Sequence, residues 1–397
     1  NQDKLNIHFE QHNQGKSKSI EAQIENLTSY FQSINKAFHT YQGDLGLSSG
    51  FDCRLILALA KNELTTPLHI HSHNTVGVHD AEIFYAKQLV KIMGVDLELI
   101  PTQSLEKSED ENIENILNQN LYFFDGRSGR HLGAYSETYT PGYRLKSMGN
   151  ADYSLNGLGG ELFRDSYFMG NRLMKWEEWA NRFLFYPLSS EAIGTEKQLK
   201  ELSYVLKQKI EKHLETDFSK ADLYKTHAYY GLLKMPQANG TVAQAYGKVS
   251  HFLFPFIEYR IIEEALKGVP YLGIGGTYQA ELITKLSQEL ASTGSHYGIR
   301  FDNPSLKYLI WSKIKTMGTA QIRNNLVRKK LLKRFHRDNH QLLTRRIYEV
   351  PALSYAKEAL ISYSPHTSFD TLLLDNTQRR YVIYLGHMLN KLSPYID

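Results

Sequence analysis

The chain has 397 residues, a formal net charge of +4, 42% hydrophobic and 22% charged residues. That composition excludes wholesale disorder, and the length suits two or three domains of about 150 residues each. Cys53 is the one cysteine, which excludes an internal disulfide framework and a multi-cysteine zinc site.

The opening stretch, Asn1–Ser19, is polar and has no signal-peptide core, and residue 1 is Asn rather than Met, which leaves room for an upstream segment. No apolar run approaches the ~18 residues of a membrane span. The longest lies within Leu55–Ala60. A cytoplasmic protein without a membrane span is therefore expected. The small net charge gives no reason to expect nucleic acid as a partner. It is uneven, however: Glu106–Glu114 is acidic, and Arg323–Arg346 carries nine Lys/Arg against one Asp. The basic stretch reads as a solvated helix with an apolar stripe, or as a surface for anionic partners.

Along the chain, Ile20–Tyr41 has helical periodicity through Ile24, Leu27, Phe31 and Ile34. A short strand, Asp44–Leu47, runs into the turn Ser48-Ser49-Gly50, and Asp52–Lys61 is helical. Strand Leu68–Ser72, helix His79–Met93 and strand Asp96–Ile100 follow, and a further strand, Tyr153–Asn156, enters the glycine-rich turn Gly157–Gly160. Strands and helices in alternation predict an α/β fold with a doubly wound parallel sheet. Past Asp165–Asn171 the pattern turns helical, over Trp176–Phe185, Glu196–Glu215, Asp222–Met235, Tyr259–Lys267, Tyr278–Ala291 and Leu306–Met317. Three units are thus expected: a helical segment over 1–40, an α/β core over 41–170, and a mainly helical lobe over 171–397 that completes the active site.

The turn Leu47-Ser48-Ser49-Gly50-Phe51-Asp52-Cys53-Arg54 sits between strand and helix. Backbone amides there, backed by a helix N-terminus, suit an anion. The serine hydroxyls add donors, Asp52 is placed for a divalent metal and Arg54 for charge neutralisation. A capped tight turn explains the same residues structurally. The Walker pattern fails, because Gly15-Lys16-Ser17 lacks its upstream glycine, and neither Gly273–Gly275 nor Gly157–Gly159 completes a dinucleotide fingerprint.

Gly46-x-Ser48-x-Gly50 also fits the nucleophile elbow of a serine hydrolase, with His296, His366 or His387 as the base. That alternative leaves Asp52 and Gly157–Glu161 without roles. His69, His71 and His73 alternate along a strand, and its C-terminal end makes His71, Ser72 and His73 candidate pocket lining. Two of these histidines with a distant carboxylate make a zinc set, whereas all three span ~13 Å, too far for one ion.

Four blocks in order carry a resemblance: Leu47–Arg54; His79-Asp80-Ala81-Glu82 with Ala86; Asn156-Gly157-Leu158-Gly159-Gly160-Glu161-Leu162-Phe163; and Phe254–Arg260 with Glu263 to Pro270. Together they resemble the synthetase domain of the asparagine-synthetase family, over Leu45 to about Tyr297. The resemblance implies an adenine-nucleotide alpha-hydrolase-like sheet followed by a helical lobe. It also implies ATP and Mg²⁺, adenylation of a small-molecule, peptide or glycan carboxylate, release of pyrophosphate, and acyl transfer to ammonia or an amine. Leu47, Ser48, Ser49, Gly50, Phe51, Asp52, Cys53, His71, Ser72, Gly157, Gly159 and Gly160 would then contact the nucleotide. Asp52 and Glu161 would hold metal, with Asp165, Asp80 and Glu82 in reserve, and Arg54, Arg164 and Lys285 would be catalytic cations. Ser49 and Cys53 depart from the family's loop, and no clear counterpart of its lysine exists. With no N-terminal cysteine, the nitrogen is expected as free ammonia, as an amine, or from a separate or missing glutaminase domain. A third expectation is a degenerate, non-catalytic nucleotide-binding protein.

Overall fold

The computed structural model describes residues 19–74, 80–102, 110–127, 137–170, 172–185 and 196–317, with His387, Met388 and Lys391. The basic stretch 323–346, His79 and His366 lie outside the described residues.

Five parallel strands form the central sheet: β1 (Gly43–Gly46), β2 (His69–Asn74), β3 (Leu97–Pro101), β4 (Tyr153–Leu155) and β7 (His251–Leu253), in the order β3-β2-β1-β4-β7. Helices flank the sheet, as the alternating pattern predicts. The order reverses between β1 and β4, and in such sheets the crevice beyond the strand ends at a reversal takes ligands. A two-stranded ribbon pairs β5 (Met174–Lys175) with β6 (Lys220–Ala221).

Helix α1 (Ile20–Phe38) opens on Ser19, whose hydroxyl caps the Ala22 amide, and buries Leu27, Phe31 and Ile34. Its neighbour α2 (Phe51–Glu63) is buried at every position from Arg54 to Ala60. The longest apolar run is therefore a central core helix. Helices α3 (Asp80–Met93), α4 (Asp110–Phe123) and α5 (Pro141–Met148) complete the first half.

The described residues of the second half share the core of the first. β7 adds the fifth strand to the sheet, and the main core joins Leu27, Leu45 and Leu55 to Ile261, Leu282 and Phe301. Smaller clusters pack apart from it, one built on Trp176, Trp179 and Phe218 and another on Phe123, Phe124, Tyr246 and Phe254. The expected helix over Asp222–Met235 is interrupted by a π-helical turn, Tyr229–Lys234. Among the described residues, no helix is long and apolar enough to cross a membrane.

Candidate functional site

The loop between β1 and α2 is fixed at each step by its neighbours. The Leu47 amide donates to the His71 carbonyl (2.8 Å), and the Ser72 hydroxyl donates to the Leu47 carbonyl (2.6 Å). The Gly50 amide donates to Ser48 Oγ at 3.3 Å, and Ser49 Oγ accepts the His296 amide (3.0 Å) while pairing with His296 Nδ1 (2.7 Å). A pocket of about 190 Å³ opens here, lined by Gly46, Leu47, Ser48, Cys53, His71 and Ser72, with His73, Glu82 and Asn156 around them. Burial pushes the Cys53 thiol up, so it stays a weak protonated donor.

The second glycine motif meets this loop by close approach. A side chain on Gly157 would come within 3.0 Å of the Asp52 backbone, and one on Gly160 would collide with the Asp52 carboxylate. Gly159 has φ +98°, a conformation that favours glycine. Bare glycines thus let the turn after β4 press onto the first turn of α2, which delivers Glu161 and Arg164 to Asp52.

Arg164 grips Asp52 with both of its terminal nitrogens: Nη1 bonds Oδ1, and Nη2 bonds Oδ2 at 3.1 Å. Gln279 Nε2 donates to Oδ1 at 3.0 Å, and Gln279 Oε1 accepts from Arg164 Nη1 at 2.6 Å. Glu161 stands 3.8 Å from Arg164 Nη2 and accepts from the Tyr230 hydroxyl at 3.1 Å, on the π-helical turn. Burial, then the nearby Asp52 charge, raises the Glu161 carboxyl above its ordinary range. Gln279 and Tyr230 carry no sequence signal of their role, because both arrive by packing of the second half.

The expected metal ligands are therefore together, but with an arginine between them. Three of the roughly four acceptor positions of the Asp52 carboxylate are taken by Arg164 and Gln279, so Mg²⁺, which demands near-octahedral oxygen ligation, would have to share or displace these partners to bind there.

Other expected residues take different places. Arg54 is fully buried and spends Nη1 and Nη2 on four carbonyls, of Leu290, Thr293, Ser49 and Gly294, at 2.6–3.1 Å. Its guanidinium lies 4.3 Å from the centre of the Phe301 ring, and burial lowers its pKa to about 10. It is a structural clamp on the loop rather than a phosphate contact. Phe51 is likewise core, stacked on Phe301 at 4.0 Å. Lys285 lies outside the cluster, on the last turn of the helix Thr277–Leu286, where it pairs with Glu21 at 3.0 Å. Asp165 is buried and accepts from the Met169 and Gly170 amides, which fixes its own turn.

His296 binds Ser49, not Ser48. Its Nδ1 faces both Ser49 (2.7 Å) and Glu82 (3.8 Å), so no relay from carboxylate through opposite ring nitrogens to a serine forms there. His387 bonds Asn118 at 2.8 Å instead.

A second polar cluster lies within the strands. Asp44 is fully buried in β1, opposite His69 of β2 and Ser154 of β4 in the ladders. Its Oδ1 meets His69 Nδ1 at 2.9 Å and His71 Nδ1 at 2.8 Å, while Oδ2 accepts from Ser154 Oγ at 2.7 Å. His69 Nε2 meets Glu98 at 2.7 Å. The hydrogen bond to Asp44 raises the His69 pKa, against a smaller opposing effect of burial. His73, its ring centre 5.3 Å from that of His71, pairs with the Tyr143 hydroxyl at 2.9 Å.

The site is thus a Ser/Gly loop at a sheet reversal, a glycine turn locked onto it, and an arginine–carboxylate pair at their junction. No protein-family profile and no curated protein matches the chain.

Proposed function

We propose that the chain is an ATP-dependent amide-forming ligase of the asparagine-synthetase kind. The observation that carries this reading is the meeting of two distant loops, Leu47–Asp52 and Gly157–Arg164, beside the β1/β4 reversal. The parallel order β3-β2-β1-β4-β7, with the small-residue turn directly after β1, supports an adenine-nucleotide alpha-hydrolase-like fold.

In this reading a substrate carboxylate oxygen attacks the α-phosphorus of ATP, and the bond to the β-phosphate oxygen breaks to release pyrophosphate. Ammonia or an amine then attacks the acyl carbon, loses a proton, and expels AMP as the amide forms. The loop amides and the N-terminus of α2 favour the departing anion. Arg164 supplies a permanent positive charge at that helix end, the kind of fixed electrostatic group on which phosphoryl and adenylyl transfer depends. Ser72 and Arg54 hold the loop backbone from behind. The pocket is smaller than the ~300–1,000 Å³ of a site that encloses a whole drug-sized ligand. It suits part of a nucleotide, with the phosphates outside over the loop.

The carboxylate is a small molecule, peptide or glycan, and nitrogen comes from ammonia, an amine or a separate glutaminase domain. No step is assigned to Mg²⁺. The Asp52–Arg164 pair favours one other reading, a nucleotide-binding protein without turnover, because the carboxylate expected to recruit metal is neutralised.

Turnover separates the two. The protein is incubated with ATP, ammonium and a carboxylate panel, and pyrophosphate and AMP are measured together with ATP binding by calorimetry. Stoichiometric AMP and pyrophosphate support the ligase. Binding without release supports the second reading, and absence of ATP binding refutes both.

A further inference from the structure

Asp44, His69 and His71 stand apart from the proposed catalytic residues, and what they offer does not depend on the ligase reading. Their ligating atoms all lie within 4.8 Å of one another. Two imidazole nitrogens converge on a single carboxylate oxygen, at 2.9 and 2.8 Å. Strand geometry produces this convergence. The β1–β2 register sets Asp44 opposite His69, and alternation along β2 puts His71 on the same face, the two rings stacked with centres 6.0 Å apart.

Two of the three ligands, His69 and Asp44, already have the support that metal ligands use. Glu98 lies 2.7 Å from His69 Nε2, placed to accept its N–H, so that loss of the Nδ1 proton would leave the Nδ1 lone pair facing an ion beside Asp44. Ser154 holds the other Asp44 oxygen at 2.7 Å. His69 therefore faces a carboxylate through both nitrogens, whereas a neutral imidazole has only one N–H. A cation must sit on the Asp44 side, as a second proton or as a metal ion.

We propose that Asp44, His69 and His71 form a binding site for a zinc-class divalent transition metal, with its open coordination position facing the pocket. Two imidazoles and a carboxylate are a donor set for such ions, and softer sulfur or all-oxygen preferences are not met. Metal–ligand bonds of ~2.0–2.1 Å at tetrahedral angles separate ligands by ~3.3 Å. The Asp44–His69 and Asp44–His71 separations therefore open by only about half an ångström on binding, while the two imidazole nitrogens, within 4.8 Å of each other, settle at that same spacing. Asp44 and His71 line the pocket, so a water or a ligand atom reaches the fourth position from there.

The test uses tag-free full-length protein, stripped with chelator and titrated at neutral pH with Zn²⁺ by calorimetry and with Co²⁺ by visible absorption. One equivalent is expected to bind, with the intense visible bands of tetrahedral cobalt. His69→Ala and His71→Ala, each checked for folding by circular dichroism, are expected to abolish that binding. Glu98→Gln, a half-exposed residue that should leave the fold intact, is expected to weaken it ~10–100-fold. Absence of stoichiometric binding to the wild-type protein overturns the proposal, as does binding that Glu98→Gln leaves unchanged. The cluster is then a proton-held carboxylate–imidazole network.

Discussion

Asp44 and Asp52 lie eight residues apart on either side of the same loop and have opposite electrostatic fates. Asp52, at the head of α2, is closed by Arg164, a cation that never loses its proton. Asp44, inside β1, is closed by two imidazoles, whose protons towards the carboxylate a shared metal ion would replace in the site proposed above. The site that resemblance marks for metal is the one least open to it, and the site suited to a transition metal lies in the strands. Chemistry at a carboxylate is thus decided by which cation the fold brings, rather than by the carboxylate's position in a motif.

The largest effect is expected from breaking the Asp52 side of this contrast. If Arg164 supplies the charge for adenylyl transfer, Arg164→Ala should lower pyrophosphate release by roughly 10²–10³-fold, the scale for losing one preorganised electrostatic group. Arg164→Lys should recover only part, because lysine cannot grip both Asp52 oxygens. Removing the guanidinium also leaves Asp52 and Glu161 adjacent without a cation. Binding of Mg²⁺ or Mn²⁺ should therefore appear in Arg164→Ala and be absent in the wild type. Equal metal binding by both proteins would remove the distinction between the two carboxylates.

Much of this architecture is legible in the sequence. The 3.6-residue spacing of α1, the apolar block of α2 and the glycine punctuation after β1 and β4 place those elements within a few residues of their positions in the structure. β7 is not legible, because its three residues, His251–Leu253, run into no glycine turn of the kind that marks the equally short β4. Helix α5 escapes because its eight residues hold little more than two turns of periodicity, whereas α4 does keep helical spacing at Ile113, Ile116, Leu117 and Leu121 and is legible in principle. The site divides along the same line. Loop and turn residues are local and announce themselves, whereas the Asp44–His69 pairing depends on strand register and the Asp52–Arg164 pairing on the packing of two loops. Arg54 is the clearest case: its position beside a phosphate-type loop suggests an anion contact, but four carbonyls from both sides of the fold claim it.

A third imidazole sharpens the comparison by showing this side chain with no carboxylate beside it. His227 is fully buried, neither ring nitrogen has a hydrogen-bond partner, and burial lowers its pKa to about 4. The unfolded chain takes up the proton near pH 6.5, the folded one only near 4, so stability is present above about 6.5 and is lost as pH falls. Between pH 7 and pH 4 this group should remove about 3 kcal/mol, a difference of ~2.5 pKa units at 1.36 kcal/mol each. His227→Leu should flatten urea-midpoint profiles over that window. An unchanged slope would show that His227 keeps its proton in the folded state.

A smaller effect is expected where the loop is tied to the second half. Ser49→Ala removes the hydroxyl that joins the His296 amide and ring, and should cost about 1–3 kcal/mol through the buried donor left unpaired. In the ligase reading, pyrophosphate release should fall only modestly, since Ser49 is buried and its tie positions the backbone. Ser48→Ala discriminates further: a serine hydrolase would lose all labelling by an acyl-serine probe, whereas the ligase should show no such labelling in the wild type either.

Lys285 tests whether the cations that matter are those packed at Asp52. It pairs with Glu21, both side chains exposed, on the last turn of the helix whose first turn carries Gln279. An exposed pair of this kind contributes little to stability because solvent screens it and two long side chains must be ordered. Lys285→Ala should therefore leave both the urea midpoint and pyrophosphate release at wild-type values, while Gln279→Ala, two turns earlier, should lower release by loosening Arg164 on Asp52. Reversal of that order, with Lys285→Ala inactive and Gln279→Ala unaffected, would move the charge that serves the nucleotide away from the Asp52 cluster to the far end of the same helix.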